Sequence, residues 1–276
     1  MYKTLLIPVD GRERSTRSLE LGCRIANLFD SHVVGLFVKP ASYIPSAVRA
    51  EGAEKMLQEL QDKVSAEVAD EAKARFDSVV KPAMMQRAEW RTDEGMRAEV
   101  VALHARYADL LVINQTDPDA PDATHFGDAV LLAVGRPVLL VPYVGELRSF
   151  AQNILVCWNA SREASRAVTD ALPLLQRAAN VTVLTVDGRP TAYGHGESAG
   201  SDVALYLARQ GVKTVASQTV SGSVDVGSVI LSRAFDLSAD LIVMGAYGHS
   251  RVREIVMGGA TRTVLQSMTV PVLMSH

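Results

Sequence analysis

The chain has 276 residues, of which 48% are hydrophobic and 21% charged, and its formal net charge is −3. This composition supports a packed core and excludes bulk disorder. Both signs of charge are spread along the chain, so the sequence lacks the basic face of a nucleic-acid-binding protein. No stretch approaches the roughly 18 apolar residues of a membrane helix, and the apolar run at the N-terminus is too short for a secretory signal, so we expect a cytoplasmic protein.

In the first half, short apolar runs typical of buried strands alternate with amphipathic or Ala/Glu/Lys-rich stretches typical of helices. Predicted strands cover residues 4–9, 32–38, 82–90, 108–114 and 136–142. Predicted helices cover residues 14–29, about 46–80 and 93–107, and a short one precedes the last strand. This alternation predicts an α/β fold with a parallel sheet.

The second half repeats the first in the same order. "QNILVCWNASREASRAV" resembles the opening "KTLLIPVDGRERSTRSL", "SADLIVMGAY" resembles "YADLLVINQT", and "VPVLMSH" resembles "RPVLLVPY". The repeat predicts two tandem, doubly wound α/β domains with Rossmann-like sheets, over residues 1–146 and 147–276. Sheets of this kind bind ligands beyond the carboxyl ends of the strands, where the strand order switches.

Four glycines lie at such a place in the second half. Gly245 and Gly248 follow the predicted strand "ADLIVM", and Gly258 and Gly259 open a predicted helix. A helix N-terminus offers unpaired backbone N–H groups and a partial positive charge, and glycine lets the backbone approach an anion closely. The pattern is compatible with a phosphate cradle and equally with a turn followed by a helix cap.

The spacing G-x2-G-x9-G between an "ADLIVMG" strand and a "VPVL" strand resembles the universal stress protein (UspA-like) family, in its tandem two-domain form. The resemblance covers essentially the whole chain and implies an adenine nucleotide alpha hydrolase-like fold. In the ATP-binding branch of the family this motif holds ribose and phosphates. The resemblance thus implies that Gly245 and Gly248, together with Gly258, Gly259 and Ala260, bind ATP, with or without Mg²⁺.

The family also places an acidic residue after its first strand and a backbone group after its second strand near the adenine. Those positions are Asn159 and Val186 here. Asn159 stands where the family has Asp, so it keeps a hydrogen-bond acceptor but loses a charge that would attract a metal ion. Gly259 stands where the family has Ser or Thr, and Thr261 offers a hydroxyl from the same turn.

Three more residues near the motif have two interpretations each. Arg251 and His249 lie in the loop between the glycine pairs, where they could reach a phosphate or face solvent. Ser161 follows the predicted strand that ends before Asn159; it is a candidate nucleotide-binding residue, and a cap of the next helix is its other, favoured role. The segment "SVDVGS", residues 223–228, is also expected to start a helix, and it could line the same pocket.

The first half departs further from the motif. Asp10 is the expected acid after the first strand, but Asn114 replaces the first glycine. Four acids follow it, Asp117, Asp119, Asp122 and Asp128. Clustered carboxylates repel a triphosphate, so we expect no ATP site of the family type in this half. A metal site at these aspartates is the less favoured alternative to a solvated, proline-broken loop.

The sequence contains no G-x-S-x-G, Walker A, G-x-G-x-x-G or H-E-x-x-H motif, so no catalytic residue is assigned. Cys23 and Cys157 lie in apolar segments and are expected to be reduced core residues. We therefore expect a stress-response or regulatory protein that acts through nucleotide occupancy. The alternatives are a slow Mg²⁺-dependent ATPase or phosphotransferase, and a small-molecule-binding scaffold that uses no nucleotide.

Assembly is also predicted from the resemblance. Members with a single domain dimerise through the last strand, which corresponds to "RPVLLVP" in the first half and "VPVLMS" in the second. Pairing of these two strands would cover two hydrophobic edges and make the chain an intramolecular pseudo-dimer. A homodimer of whole chains is a further possibility.

Overall fold

A computed structural model describes residues 1–41, 54–116, 126–145, 147–188, 200–248 and 259–276. Within these ranges the chain forms two compact units, Met1–Asn114 and Gln115–His276. The domain boundary predicted from the sequence repeat lies later, between residues 146 and 147, and stays a prediction. None of the described helices is both long enough and apolar enough to cross a membrane.

The first unit is a parallel sheet with helices packed against it. Its elements are β1 (Thr4–Pro8), α1 (Ser15–Phe29), β2 (His32–Pro40), α2 (Glu54–Val80), β3 (Ala88–Gly95), α3 (Arg97–Ala105) and β4 (Leu110–Asn114). The strand order is β3-β2-β1-β4 with every neighbouring pair parallel. Leu5, Leu6 and Ile7 are at most 1% exposed, as expected for a strand that is covered on both faces.

The second unit has the same order for its first four strands and adds two more at one edge. Its elements are α4 (Phe126–Ala133), β5 (Val138–Val141), β6 (Asn153–Cys157), α5 (Arg162–Leu175), β7 (Asn180–Val186), α6 (Ser201–Arg209), β8 (Thr214–Thr219), α7 (Val226–Asp236), β9 (Leu241–Gly245), α8 (Gly259–Ser267) and β10 (Val272–Ser275). The order is β8-β7-β6-β9-β10-β5. All pairs are parallel except β5 with β10, which run antiparallel, with Leu139 opposite Leu273.

Strand β3 begins later than its apolar run predicts. The expected strand covers residues 82–90, whereas the observed strand pairs Ala88 with Val33 and continues to Gly95 opposite Pro40. Met84, which belongs to the apolar run, lies in a left-handed turn with φ 51° and is 85% exposed. Among the described strands, β3 has a neighbour on only one side. Half-exposed polar residues can pair at such an edge, so hydrophobicity does not mark where this strand begins and ends.

Candidate functional site

The candidate site lies where strand order reverses in the second unit. β6 lies between β7 and β9 in a parallel sheet, so the chain leaves β6 and β9 for opposite sides of the sheet. A crevice forms at such a switch point because the two connections diverge. Here a cavity of about 450 Å³ opens beyond the carboxyl ends of β6, β7 and β9. That volume is within the range of small-molecule sites.

Two structural groups line this cavity. The ends of the three strands contribute Cys157, Trp158, Asn159, Leu184, Val186, Met244, Gly245, Tyr247 and Gly248. The starts of two helices contribute Asp225, Val226, Ile230, Gly259, Ala260 and Thr261. The structure thus brings together seven of the predicted ligand residues, namely Asn159, Val186, Gly245, Gly248, Gly259, Ala260 and Thr261. Gly258, His249 and Arg251 lie outside the described residues.

Gly245 allows a close approach between strand and helix. A Cβ at this position would lie 2.5 Å from the backbone nitrogen of Ala164 and 2.7 Å from the carbonyl carbon of Glu163. Backbone atoms cannot move aside as a flexible side chain can, so only glycine fits here without a shift of α5. The described structure thus gives Gly245 a packing role, whether or not a ligand is bound.

Gly248 has more room than Gly245. Its Cβ would lie 3.1 Å from the Glu163 Oε2 and from the Ser161 Oγ, which are the ends of side chains. Among the described residues, a Cβ at Gly259 would meet only the Asp225 Oδ1, at an ordinary distance of 3.5 Å. Gly259 is the first residue of α8, whose early N–H groups have no partner within the helix. Among the described residues, this end of the cavity thus presents the N–H groups of a helix start together with the Asp225 carboxylate.

Ser161 caps α5, as the sequence predicts. Its Oγ accepts a hydrogen bond from the Ala164 N–H at 3.1 Å. The side-chain oxygen of Asn159 accepts from the Ser161 N–H at 3.1 Å, across Ala160 with φ 58°. Ser161 is not among the cavity-lining residues, so it shapes the turn that presents Asn159.

Thr261 supports the loop after β9. Its Oγ1 accepts a hydrogen bond from the Tyr247 N–H at 3.3 Å, and the residue is 4% exposed. A hydroxyl that accepts one hydrogen bond can still donate another. Thr261 can therefore hold the loop and offer a donor to the cavity.

Sequence reasoning did not assign a site role to Asp225 or Tyr247 individually. Asp225 caps α7 by accepting from the Ser228 N–H at 3.1 Å, which confirms the helix start predicted in "SVDVGS". Its second oxygen lies beside Gly259, so one carboxylate borders the end of the cavity at the start of α8. Tyr247 occupies one of the two variable positions between Gly245 and Gly248, so the motif itself does not single it out.

Glu163 is a buried acid next to the site. It is 6% exposed and accepts two hydrogen bonds from the Arg162 guanidinium, at 2.9 and 3.1 Å. Burial acts to raise the pKa of Glu163, but its own backbone N–H, Arg162 and His276 outweigh burial and hold that pKa below its usual value. A negative charge is thus fixed beneath Gly248.

The cysteines show no disulfide. Both are free; Cys23 is buried and Cys157 is half-buried at the cavity wall. Burial raises the pKa of the Cys23 thiol to about 11 and that of the Cys157 thiol to about 12. Neither thiol carries the thiolate that nucleophilic catalysis needs near neutral pH.

The corresponding corner of the first unit is built differently. Asp10 follows β1 and accepts from the Ser15 Oγ at 2.5 Å and from the Arg97 guanidinium at 3.3 Å. Asn114, which replaces the first glycine, donates to the Ser18 Oγ at 3.0 Å. Of the four acids that follow, Asp128 lies in α4, and the other three fall outside the described ranges. Among described residues, no group of three Asp, Glu, His or Cys side chains could hold a metal ion.

Comparison with known proteins assigns the second half of the chain. Residues 151–276 match the model of the universal stress protein family. The match is confined to this second half, so it is this part of the chain that is similar to the family. A universal stress protein from Synechocystis is 50% identical over 38 residues, which span 14% of this chain and only 13% of the relative.

Solved universal stress proteins share the fold. A structure from Archaeoglobus fulgidus has a TM-score of 0.74 at 16% identity and covers 99% of this chain and 95% of its own. A putative universal stress protein from Pseudomonas aeruginosa has a TM-score of 0.58 at 14% identity, with 99% and 93% coverage. At these identities the likeness concerns the fold alone. The Rossmann-like α/β fold is thereby confirmed.

Proposed function

We propose that the second half of the chain binds an adenine nucleotide, with ATP as the main candidate, in the cavity at the ends of β6, β7 and β9. The observation that supports this most is the convergence of apolar walls and a helix N-terminus in one crevice. Val186, Leu184 and Ile230 offer faces against which a base can pack. The first turn of α8 offers N–H groups to a phosphate.

The neutral Asn159 bears on the choice of ligand. Asn159 can accept from or donate to a base or ribose, but it offers Mg²⁺ no charge. Asp225 is the one carboxylate among the described cavity-lining residues. A Mg²⁺ ion would therefore have to arrive with the nucleotide and take most of its ligands from phosphates and water.

Binding without turnover is the proposed mode of action. Ligand occupancy would stabilise one arrangement of the loop after β9 and so change the surface that a partner protein meets. We also propose a regulatory role in a stress response, which the match of residues 151–276 to the universal stress protein family supports. We also propose a cytoplasmic location, which cell fractionation would test.

We further propose that the two sequence repeats form an intramolecular pseudo-dimer. The antiparallel pairing of β5 with β10, which are the last strands of the two repeats, supports this. Light scattering on the purified chain would decide whether whole chains also form a homodimer.

The test is isothermal titration of ATP, with and without Mg²⁺, into the wild-type protein and Gly259→Met. Among the described residues, a Cβ at Gly259 meets only one side-chain oxygen, so we expect methionine to enter the cavity without a clash with described backbone. We expect at least about tenfold weaker binding in this variant, since its side chain would occupy the phosphate position. Gln266→Met places the same side chain at an exposed position of α8 and serves as the control.

Each result separates the proposed function from its alternatives. Equal affinity in Gly259→Met and the wild type would place the nucleotide elsewhere. Mg²⁺-dependent phosphate release that Gly259→Met loses would support a slow ATPase. A wild-type protein that does not bind ATP would support a scaffold that uses no nucleotide.

A further inference from the structure

Tyr247 lies between the two loop glycines in an unfavourable backbone conformation. Its φ is 57°, in the left-handed region, which bulky residues rarely adopt. Such a conformation is energetically unfavourable and persists only where surrounding contacts enforce it. Because Tyr247 lines the cavity, those contacts also fix the shape of the cavity wall.

The side chain of Tyr247 is held from two directions. Its hydroxyl donates to the Asp128 Oδ1 at 2.5 Å. Its ring meets the His276 ring edge to face, with centroids 6.3 Å apart and planes at 70°. His276 in turn approaches the carbonyl oxygen of Ala246 with its Nδ1 at 3.0 Å. Burial and the Asp128 carboxylate raise the pKa of Tyr247, so its phenol keeps its proton and remains a donor.

Asp128 belongs to the first sequence repeat. It is one of the four acids that stand where the first repeat would need a phosphate-binding segment of its own. The described structure places it in the first turn of α4, with its carboxylate on the second repeat's loop. An aspartate that is unsuited to binding a phosphate thus contacts the loop of the other repeat.

We propose that Asp128 is a positioning residue for the cavity: it holds the Tyr247 side chain and thereby the turn from Gly245 to Gly248. Asp128 does not contact the ligand in this account. Its role in affinity rests on the proposed nucleotide function, whereas its role in holding the loop does not. The segment that departs from the motif in one repeat therefore supports the site of the other.

The experiment compares Asp128→Ala, Asp128→Asn and Tyr247→Phe by amide hydrogen exchange and by ATP titration. In ligand-free protein, the peptide that spans Gly245–Gly248 is expected to exchange severalfold faster in Asp128→Ala and Tyr247→Phe. Asp128→Asn keeps an oxygen that can accept from Tyr247, so its exchange should stay near that of the wild type. Asp236→Ala removes an exposed acid that pairs with Arg233, and it controls for loss of charge.

ATP binding should follow the same pattern. We expect Asp128→Ala and Tyr247→Phe each to weaken it about tenfold, which corresponds to 1.4 kcal/mol. The double variant should bind ATP no more weakly than either single variant, because each single variant already removes the same Tyr247–Asp128 hydrogen bond. Asp128→Asn should restore most of the affinity, which a general loss of stability would not allow.

Unchanged exchange in Asp128→Ala would overturn the proposal, and so would additive losses in the double variant. If the wild type does not bind ATP, the proposed nucleotide function fails, and hydrogen exchange alone still decides whether Asp128 holds the loop. Circular dichroism and the thermal midpoint of each variant show whether it is folded.

Discussion

The turns that follow β1 and β6, here called the first and second corners, occupy equivalent places in the two sequence repeats. They differ in charge. After β1, the Asp10 carboxylate is 19% exposed and has two arginines beside it, Arg97 at 3.3 Å and Arg14 at 3.7 Å. After β6, Asn159 is exposed and neutral and faces a cavity. In the first corner the Asp10 carboxylate is paired with arginines of the same unit, whereas the second corner leaves polar groups and space for a ligand.

The difference extends to how the following helix begins. Ser161 caps α5, so helix backbone reaches Glu163 and Ala164 next to Gly245. No side chain caps α1, which begins at Ser15, and Asn114 has room to donate to Ser18. The strand end therefore lies against helix backbone in the second corner and against a serine side chain in the first.

The largest expected effect on stability comes from exchanging the residues at the ends of β9 and β4. Gly245→Asn forces a Cβ into the backbone of α5 and should cost about 3 kcal/mol of unfolding free energy. Asn114→Gly loses one hydrogen bond and adds chain entropy, and should cost about 1 kcal/mol. Urea unfolding of both variants measures the difference. Equal costs would mean that α5 can shift, and that Gly245 is not fixed by packing.

Asp10→Asn is expected to cost about 1–2 kcal/mol at pH 7, because a hydrogen-bonded charge that offsets neighbouring arginines is removed. Burial acts to raise the pKa of Asp10, but Arg97, Ser15 and Arg14 together lower that pKa below its usual value. A carboxylate with a lowered folded-state pKa stabilises the protein above its unfolded pKa of about 4, and this stability is lost as the pH falls further.

The measurement is unfolding free energy against pH for the wild type and Asp10→Asn. The two curves should converge below about pH 4, where unfolded Asp is protonated. A constant gap down to strongly acidic pH would show that Asp10 acts through packing and not through its charge.

Ser161→Ala should cost about 1 kcal/mol, since it leaves the Ala164 N–H without its capping oxygen. Ser161→Asp can also accept from this N–H and should recover part of the loss, although Glu163 lies nearby. Thermal unfolding compares the three proteins. A thermal midpoint in Ser161→Ala equal to that of the wild type would mean that solvent replaces the cap without loss of stability.

Patterns of hydrophobicity predict the strands of both corners, because a strand that is buried on both faces must be apolar. They fail at β3, where one edge is free and half-exposed polar residues form the strand. The glycine spacing and Ser161 indicate where the site lies. The contact between Tyr247 and Asp128 could not be predicted, because it joins residues far apart in sequence through side chains that are common in loops and helix starts.

The smallest effect is expected from Asn159→Asp, which gives the second corner the acid of the first. Asp10 has Arg14 four residues on, whereas Asn159 has the acid Glu163 at that place. A new carboxylate at this exposed position therefore lacks the ion pair that Asp10 makes with the residue four positions on, and meets a like charge there. We expect unfolding free energy to stay within about 0.5 kcal/mol of the wild type, with any change unfavourable.

The same variant sharpens the ligand question. A carboxylate at position 159 supplies the charged oxygen that a hard cation favours, so Mg²⁺ should help ATP binding more in Asn159→Asp than in the wild type. Without Mg²⁺, added negative charge should weaken ATP binding. Titrations in the presence and absence of Mg²⁺ measure both terms. If the ATP affinity changes neither with the added charge at position 159 nor in its dependence on Mg²⁺, Asn159 lies away from the phosphates, on the base side of the cavity beside Val186.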